Sequence, residues 1–312
     1  MFNKNFFMIF ILLYYFLTLS LSHSLYARVG STGWIIFRKA QSPKPKPVTA
    51  VAGVRGDLSG VLYNPSVLAA VGHREIFTIA EVGLTEDKTA GIVYGQPLGR
   101  VQALSVGILT YNAGKMSLYW IEDGQEKGRE VNAQNDLLGI ISYGRRITDK
   151  LQIGVTTKLA TSNIAETSTA MAYAIDLGLS YYLTDKLVIS AAGQNLGFST
   201  KFLDKEEKLP ASIWAAVGYS GMIPSLGKNF YYVVGADIPY IIDEQRVAPS
   251  IGVEFGKIPI PISIFFGYRM NVEEGIFNIG LSFIHEKFDI SYSYVPTTYL
   301  SQTHRLSLGF RF

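Results

Sequence analysis

The residues able to do chemistry are few and scattered. The four histidines, His23, His73, His285 and His304, show none of the short spacings that put two imidazoles on one metal ion. There is no cysteine, which excludes disulfides, thiolate metal sites and a lipid-bearing cysteine. No Gly-Lys-Ser/Thr loop offers a phosphate cradle. Ser, His and Asp combinations occur only as in any chain of this length. The chain reads as a non-enzyme, with no cofactor and no metal implied. What it does carry is charge at regular places: Lys158, Asp176, Asp237, Glu254, Arg269, Asp289, Arg305 and Arg311. Each falls on the small, polar side of an alternating segment. Unpaired charges away from water are costly, so these should pair with one another or meet water. Paired, they stiffen a narrow interior; in a row, they make a polar path.

The segments that position these charges repeat with a period of two. Met171, Tyr173, Ile175, Leu177, Leu179 and Tyr181 share one face, and Ala172, Ala174, Asp176, Gly178 and Ser180 the other. The same holds for Phe277, Ile279, Leu281 and Phe283 against Asn278, Gly280 and Ser282. One face is aliphatic with aromatic ends; the other is small and polar. A soluble sandwich also alternates, with its apolar face inward. Here the segments run about nine to eleven residues, the length that crosses a bilayer at a tilt. No set of helices accompanies them. Backbone polar groups in lipid must be paired, and a closed barrel does this without edges.

Candidate strands fall at 75–83, 88–97, 101–111, 136–145, 151–160, 170–182, 186–194, 211–220, 229–239, 246–256, 260–270, 275–285, 287–295 and 304–312. The sequence thus predicts an all-β, 14-stranded antiparallel transmembrane β-barrel. Short turns such as Thr148-Asp149, Thr184-Asp185 and Glu286-Lys287 suit the periplasmic side. The longer loops 112–135, 195–210 and 296–303 suit the outside. Keeping those sides consistent makes 115–133 a protruding external loop or hairpin rather than a wall strand. The last strand ends Gly309-Phe310-Arg311-Phe312, and Phe310 and Phe312 form the aromatic end that a barrel assembly machinery reads.

Upstream, Met1–Ser24 has a positive start at Lys4, an apolar core over Phe6–Leu21 and small residues at Ser22 and Ser24. It reads as a cleaved signal peptide. Residues 25–72 then form an N-terminal segment and lumen plug, and 73–312 the barrel. Pro43-Lys-Pro-Lys-Pro47 should be extended, as alternate prolines favour polyproline II, and should act as a solvated spacer. Within Val51–Val71, Asp57 can cap one helical turn, and Asn64 a second with Pro65 at its first position. Gly72 suits the end of that turn. The plug residues singled out are Asp57, Asn64, Pro65 and Leu68. A net charge of +3 is too small to argue for nucleic acid.

Three stretches together resemble the PorV/PorQ family, relatives of FadL-type outer-membrane transporters. They are Asp57–Ala69 with its central Asn64-Pro65, Gln194-Asn195-Leu196-Gly197 followed by Leu209-Pro210, and Thr303-His304-Arg305 leading to Gly309-Phe310. The chain departs from the family at Ser66-Val67, at Arg55-Gly56 and in the Pro43–Pro47 lead-in. The FadL resemblance implies a plugged barrel in the outer membrane of a diderm bacterium that passes small hydrophobic molecules. They would leave sideways, through a wall gap where strand pairing fails. The PorV resemblance implies the alternative of a type IX secretion accessory that binds secreted cargo and hands it on, through loops such as Lys201–Lys208. The partners expected are therefore outer-membrane lipid, the assembly machinery, and either a small apolar ligand or a cargo protein.

Overall fold

The computed structural model describes residues 33–39, 41–50, 57–83, 87–202, 206–223, 230–257, 260–272, 275–297 and 301–312. The signal peptide Met1–Ser24 and the first part of the expected plug, Val51–Gly56, lie outside the described residues. So do Leu203–Lys205 of the charged loop.

The strands in chain order are β1 (Glu75–Val82), β2 (Lys88–Pro97), β3 (Gln102–Asn112), β4 (Lys115–Glu122), β5 (Gln125–Asn132), β6 (Gln134–Arg146), β7 (Leu151–Ile164), β8 (Ser168–Tyr182) and β9 (Leu187–Ser199). They continue as β10 (Ser212–Met222), β11 (Phe230–Ile241), β12 (Arg246–Val247), β13 (Ser250–Lys257), β14 (Ile262–Arg269), β15 (Phe277–His285), β16 (Phe288–Val295) and β17 (Thr303–Arg311). All the wall pairings are antiparallel. The ring closes where β1 meets β17, from Glu75↔Arg311 to Val82↔His304. Apart from the two-residue β12, fourteen strands form the wall.

The alternation decides which face meets which medium. On the outward face Ile108 and Ile141 are 55% and 58% exposed, while the inward Ser142 and Asp176 are 1% and 0% exposed. A water-soluble sandwich would show the reverse. An apolar outer face over strands of 8 to 15 residues is what lipid requires.

The inner face is not polar all round. Phe77 and Ile79 of β1, Val93 of β2, Leu109 and Tyr111 of β3, and Leu138 and Ile140 of β6 point inward and are buried. They meet the N-terminal segment rather than water, which is why the small-and-polar expectation fails on this side.

The stretch 115–133 forms the β4–β5 hairpin, a sheet of its own. It continues the β3–β6 ladder without a slip, from Asn112↔Asn135 to Lys115↔Asn132. Its tip, Asp123-Gly124, takes positive φ at both residues (54° and 75°), the geometry of a two-residue hairpin turn.

The N-terminal segment contributes four short helical pieces: α1 (Ile36–Lys39), α2 (Lys46–Ala50), and the 3-10 turns η1 (Leu58–Leu62) and η2 (Pro65–Ala70). The caps fall where expected. The Asp57 carboxylate accepts from Ser59 N at 2.9 Å and Asn64 Oδ1 from Ser66 N at 3.0 Å, with Pro65 opening η2. Two expectations are corrected. Gly72 takes no part in ending η2, because Val71 closes that turn in extended geometry. Pro43–Pro47 is neither solvated nor a continuous extended run. Pro43, Lys44, Pro45 and Pro47 are buried, and α2 starts at Lys46. Pro47 falls in the first helical turn, where a missing N–H costs nothing.

Candidate functional site

Residues 33–50 and 57–71 touch the inward faces of strands all round the ring, and thus lie within it. Space for them comes from wall residues without a side chain. A Cβ at Gly144 on β6 would stand 2.6 Å from Leu68 Cβ. One at Gly154 on β7 would fall on the Pro65 carbonyl, and one at Gly178 on β8 on the Asn64 side chain. On the far side, Pro45 fills the same kind of gap over Gly252 and Gly267, 2.9 Å from where either Cβ would be. Asn64 and Ser66 also bond to the wall. Ser66 Oγ lies 2.8 Å from Ser180 Oγ, and Asn64 Nδ2 donates to the same hydroxyl at 3.3 Å.

The stretch 33–50 buries Trp34, Ile36 and Phe37 in the core and is also tied to the wall by charge. Arg38 pairs with Asp243 at 3.2 Å and with Glu244. Lys39 pairs with Glu81 at 2.8 Å and with Asp87. Lys46 pairs with Asp237 at 2.7 Å and lies over the Trp214 ring at 4.8 Å. Lys44 reaches back to Asp57 at 3.6 Å. Burial pushes the Asp57 carboxyl up, but Lys44 and the bonds from Ser59 outweigh it and hold it below its ordinary value. Burial, more than the nearby Glu81 carboxylate, drives the Tyr63 phenol up to about 12, so it stays protonated where it accepts from Ser42 N at 2.9 Å.

Of the wall charges, Lys158, Asp176, Asp237, Glu254 and Asp289 are buried. They gather in separate groups rather than one network. Lys158 and Asp176 pair at 2.7 Å, and Asn195 joins them, accepting from Lys158 and donating its N–H to Asp176, both at 2.7 Å. Asp237 also accepts from Ser250. Glu254 accepts from Ser263 at 2.9 Å and from Tyr231 at 3.2 Å. Asp289 lies 3.6 Å from Arg311. Arg305 pairs with Glu81. Arg269 differs: it donates to the Gly275 carbonyl at 3.0 and 2.8 Å, and no described carboxylate pairs with it. Phe310 and Phe312 project outward, stacked at 5.8 Å.

Several acids that anchor the N-terminal segment escaped sequence reasoning: Glu81, Asp87, Asp243 and Glu244. Glu81 was findable, because it shares a strand face with Glu75. The other three lie beyond regular alternation, where no periodic signal exists.

The wall has one irregular seam. Between Ile175 and Leu177 the β8–β9 register shifts: Asp176 faces both Gln194 and Asn195, and Asn195 takes φ of 55°. Past Gln194, β9 loses β10, which begins at Ser212. Pro210 cannot donate to a ladder, and side chains span the seam instead. Asn195 Nδ2 donates to the Pro210 carbonyl at 3.1 Å and Ser199 Oγ to the Glu207 carbonyl at 2.7 Å. Gln194 ties the seam to the enclosed segment, donating to the Leu62 carbonyl at 3.1 Å and accepting from Trp214 at 2.8 Å. The Gln194–Gly197 and Leu209-Pro210 stretches thus meet in space.

Beside this seam is a cavity of about 280 Å³. Its lining comes from Phe37, Arg38, Gln41, Lys44–Pro47 and Tyr63 on the inside, and on the wall from the seam, from the long-loop ends of β11, β13 and β14, and from Asn278, Val295 and Arg305.

In fold, the chain is similar to the Ralstonia pickettii toluene transporter TbuX, at 13% identity over 82% of this chain and 94% of that one, with a TM-score of 0.57. It is also similar to the Pseudomonas putida toluene transporter TodX (12% identity, 81% and 93% covered, TM-score 0.52). A FadL homologue of Pseudomonas aeruginosa gives 9% identity, 82% and 94% covered, and a TM-score of 0.52. No family model and no curated protein matches the chain. The fold shared with these structures is a closed 14-stranded antiparallel β-barrel.

Proposed function

We propose that this chain is an outer-membrane conduit for small organic molecules with a largely apolar body. Residues 25–72 act as its plug, with Asp57, Asn64, Pro65 and Leu68 setting the plug's inner end. The supporting observation is a closed barrel, apolar outside, that encloses its own N-terminal segment and keeps a cavity beside it. The solved barrels it resembles in fold are described as transporters of toluene and a FadL homologue. In this reading a solute enters from the long-loop side, settles in the cavity, and leaves when the segment shifts. The seam between β9 and β10 is the place for a sideways exit. Met1–Ser24 directs export, and Phe310 and Phe312 present the assembly signal in a diderm envelope. Nothing in the described residues favours cargo handing in secretion over this reading.

The chain has no native cysteine, so a disulfide between Pro45→Cys and Gly267→Cys, whose Cβ positions are 3.0 Å apart, can tie the 33–50 stretch to the wall. Oxidised, this variant in proteoliposomes should lose most uptake of a small aromatic solute such as toluene. Reduction should restore it. Equal uptake in both states would sink the gating role of the segment.

A further inference from the structure

We infer that the cavity beside the β9–β10 seam receives the anionic oxygen group of a small organic solute, with Arg269 as its anchor. This deepens the conduit reading by naming the substrate class, and rests on that reading for its physiological use.

Charge balance around the cavity singles out Arg269. Six cations line the cavity: Arg38, Lys44, Lys46, Arg246, Arg269 and Arg305. Five of them already face carboxylates. Arg38 and Arg246 share Glu244, and Arg38 also holds Asp243. Lys44 faces Asp57, Lys46 Asp237, and Arg305 Glu81. Among the described residues Arg269 has only the Gly275 carbonyl, and its exposed side chain lines the cavity. Among the lining residues Asp237 is the one carboxylate, and Lys46 and Ser250 already engage it.

Position adds to this. Arg269 ends β14 on the inward register of Ser263, Phe265 and Gly267. It therefore points at the enclosed segment, near the long-loop end. A guanidinium is always charged and offers a planar fork that suits a carboxylate, sulfonate or phosphate. Phe37, Tyr63 and Tyr268 line the same space and give an apolar body somewhere to lie. The volume is near the small end of the roughly 300–1,000 Å³ usual for ligand pockets, which suits one small solute rather than a long chain.

Two solutes of similar shape, benzoate and benzyl alcohol, test it by calorimetry on the purified barrel in uncharged detergent at neutral pH. Benzoate should bind at least tenfold more tightly than benzyl alcohol. Arg269→Gln should weaken benzoate at least tenfold and leave benzyl alcohol within twofold. Arg269→Lys, which keeps the charge, should retain most benzoate binding. Equal binding of the two solutes to the native protein, or no binding of either, overturns the inference whatever the variants do. So does unchanged benzoate binding in a folded Arg269→Gln. Proteoliposome uptake separates the two readings. Charge-selective binding without uptake of either solute keeps the anion site and ends the conduit. Uptake of both without selectivity keeps the conduit and ends the site.

Discussion

Both halves of the enclosed segment pack against bare glycine backbone, but among the described residues only 33–50 is also tied to the wall by ion pairs. Residues 57–71 sit against bare backbone: Gly144, Gly154 and Gly178 leave room for Pro65, Leu68 and Asn64, and hydroxyl and amide bonds to Ser180 complete the contact. Residues 33–50 are tied by ion pairs to loop and wall acids, next to the cavity. Close-packed contacts are short-ranged and dry, and they tolerate no displacement. Ion pairs near water exchange with solvent and ions at modest cost. The comparison assigns the fixed anchor to 57–71 and the movable part to 33–50.

The strongest way to break this is to fill a glycine gap under the anchor. Gly154→Val puts side-chain atoms onto the Pro65 backbone, which cannot turn aside. It should cost at least about 3 kcal/mol, the upper end for overpacking, measured by urea unfolding in micelles. Next comes Asp237→Ala. It removes the partner of Lys46 from a fully buried position. Breaking such a pair costs about 3–5 kcal/mol in a dry interior. With Lys46 facing the cavity, about 2 kcal/mol is expected, and 1 M salt should narrow the gap to the native protein. Hydrogen exchange in that salt should quicken at 41–50 and not at 57–71; equal quickening would remove the distinction. Gly267→Ala, whose new Cβ meets only the edge of the Pro45 ring at 2.9 Å, should cost about 1 kcal/mol, well below Gly154→Val.

The smallest effect sharpens the join between the halves. Asp57→Ala removes a cap and should cost about 1 kcal/mol. Because the Asp57 carboxyl is held below its ordinary value of 3.8, its contribution is present in full above that value. It is lost as pH falls through the lower native value. A native-minus-variant stability difference that is flat from neutral pH to about pH 4 and shrinks below it is the expected profile.

Much of this was legible in the sequence. The fourteen wall strands, their faces and the protruding 115–133 hairpin follow from alternation and parity. The caps at Asp57 and Asn64 follow from local donors and acceptors. Pro43–Pro47 was misread because an isolated Pro-Lys run does favour extension in water. Here its prolines meet Gly235, Gly252 and Gly267, three strands that no local rule connects to it. The partners of wall charges such as Asp237 and Arg305 were not legible.

A pleated backbone turns every second side chain the same way, so lipid outside and a filled interior leave their mark within a single strand. That is why the chain by itself determined the wall. Which charge meets which depends on closing the ring around residues 33–71, as in Lys46 with Asp237 or Arg38 with Glu244. Only that closure turns Arg269 toward a cavity, with no described carboxylate beside it.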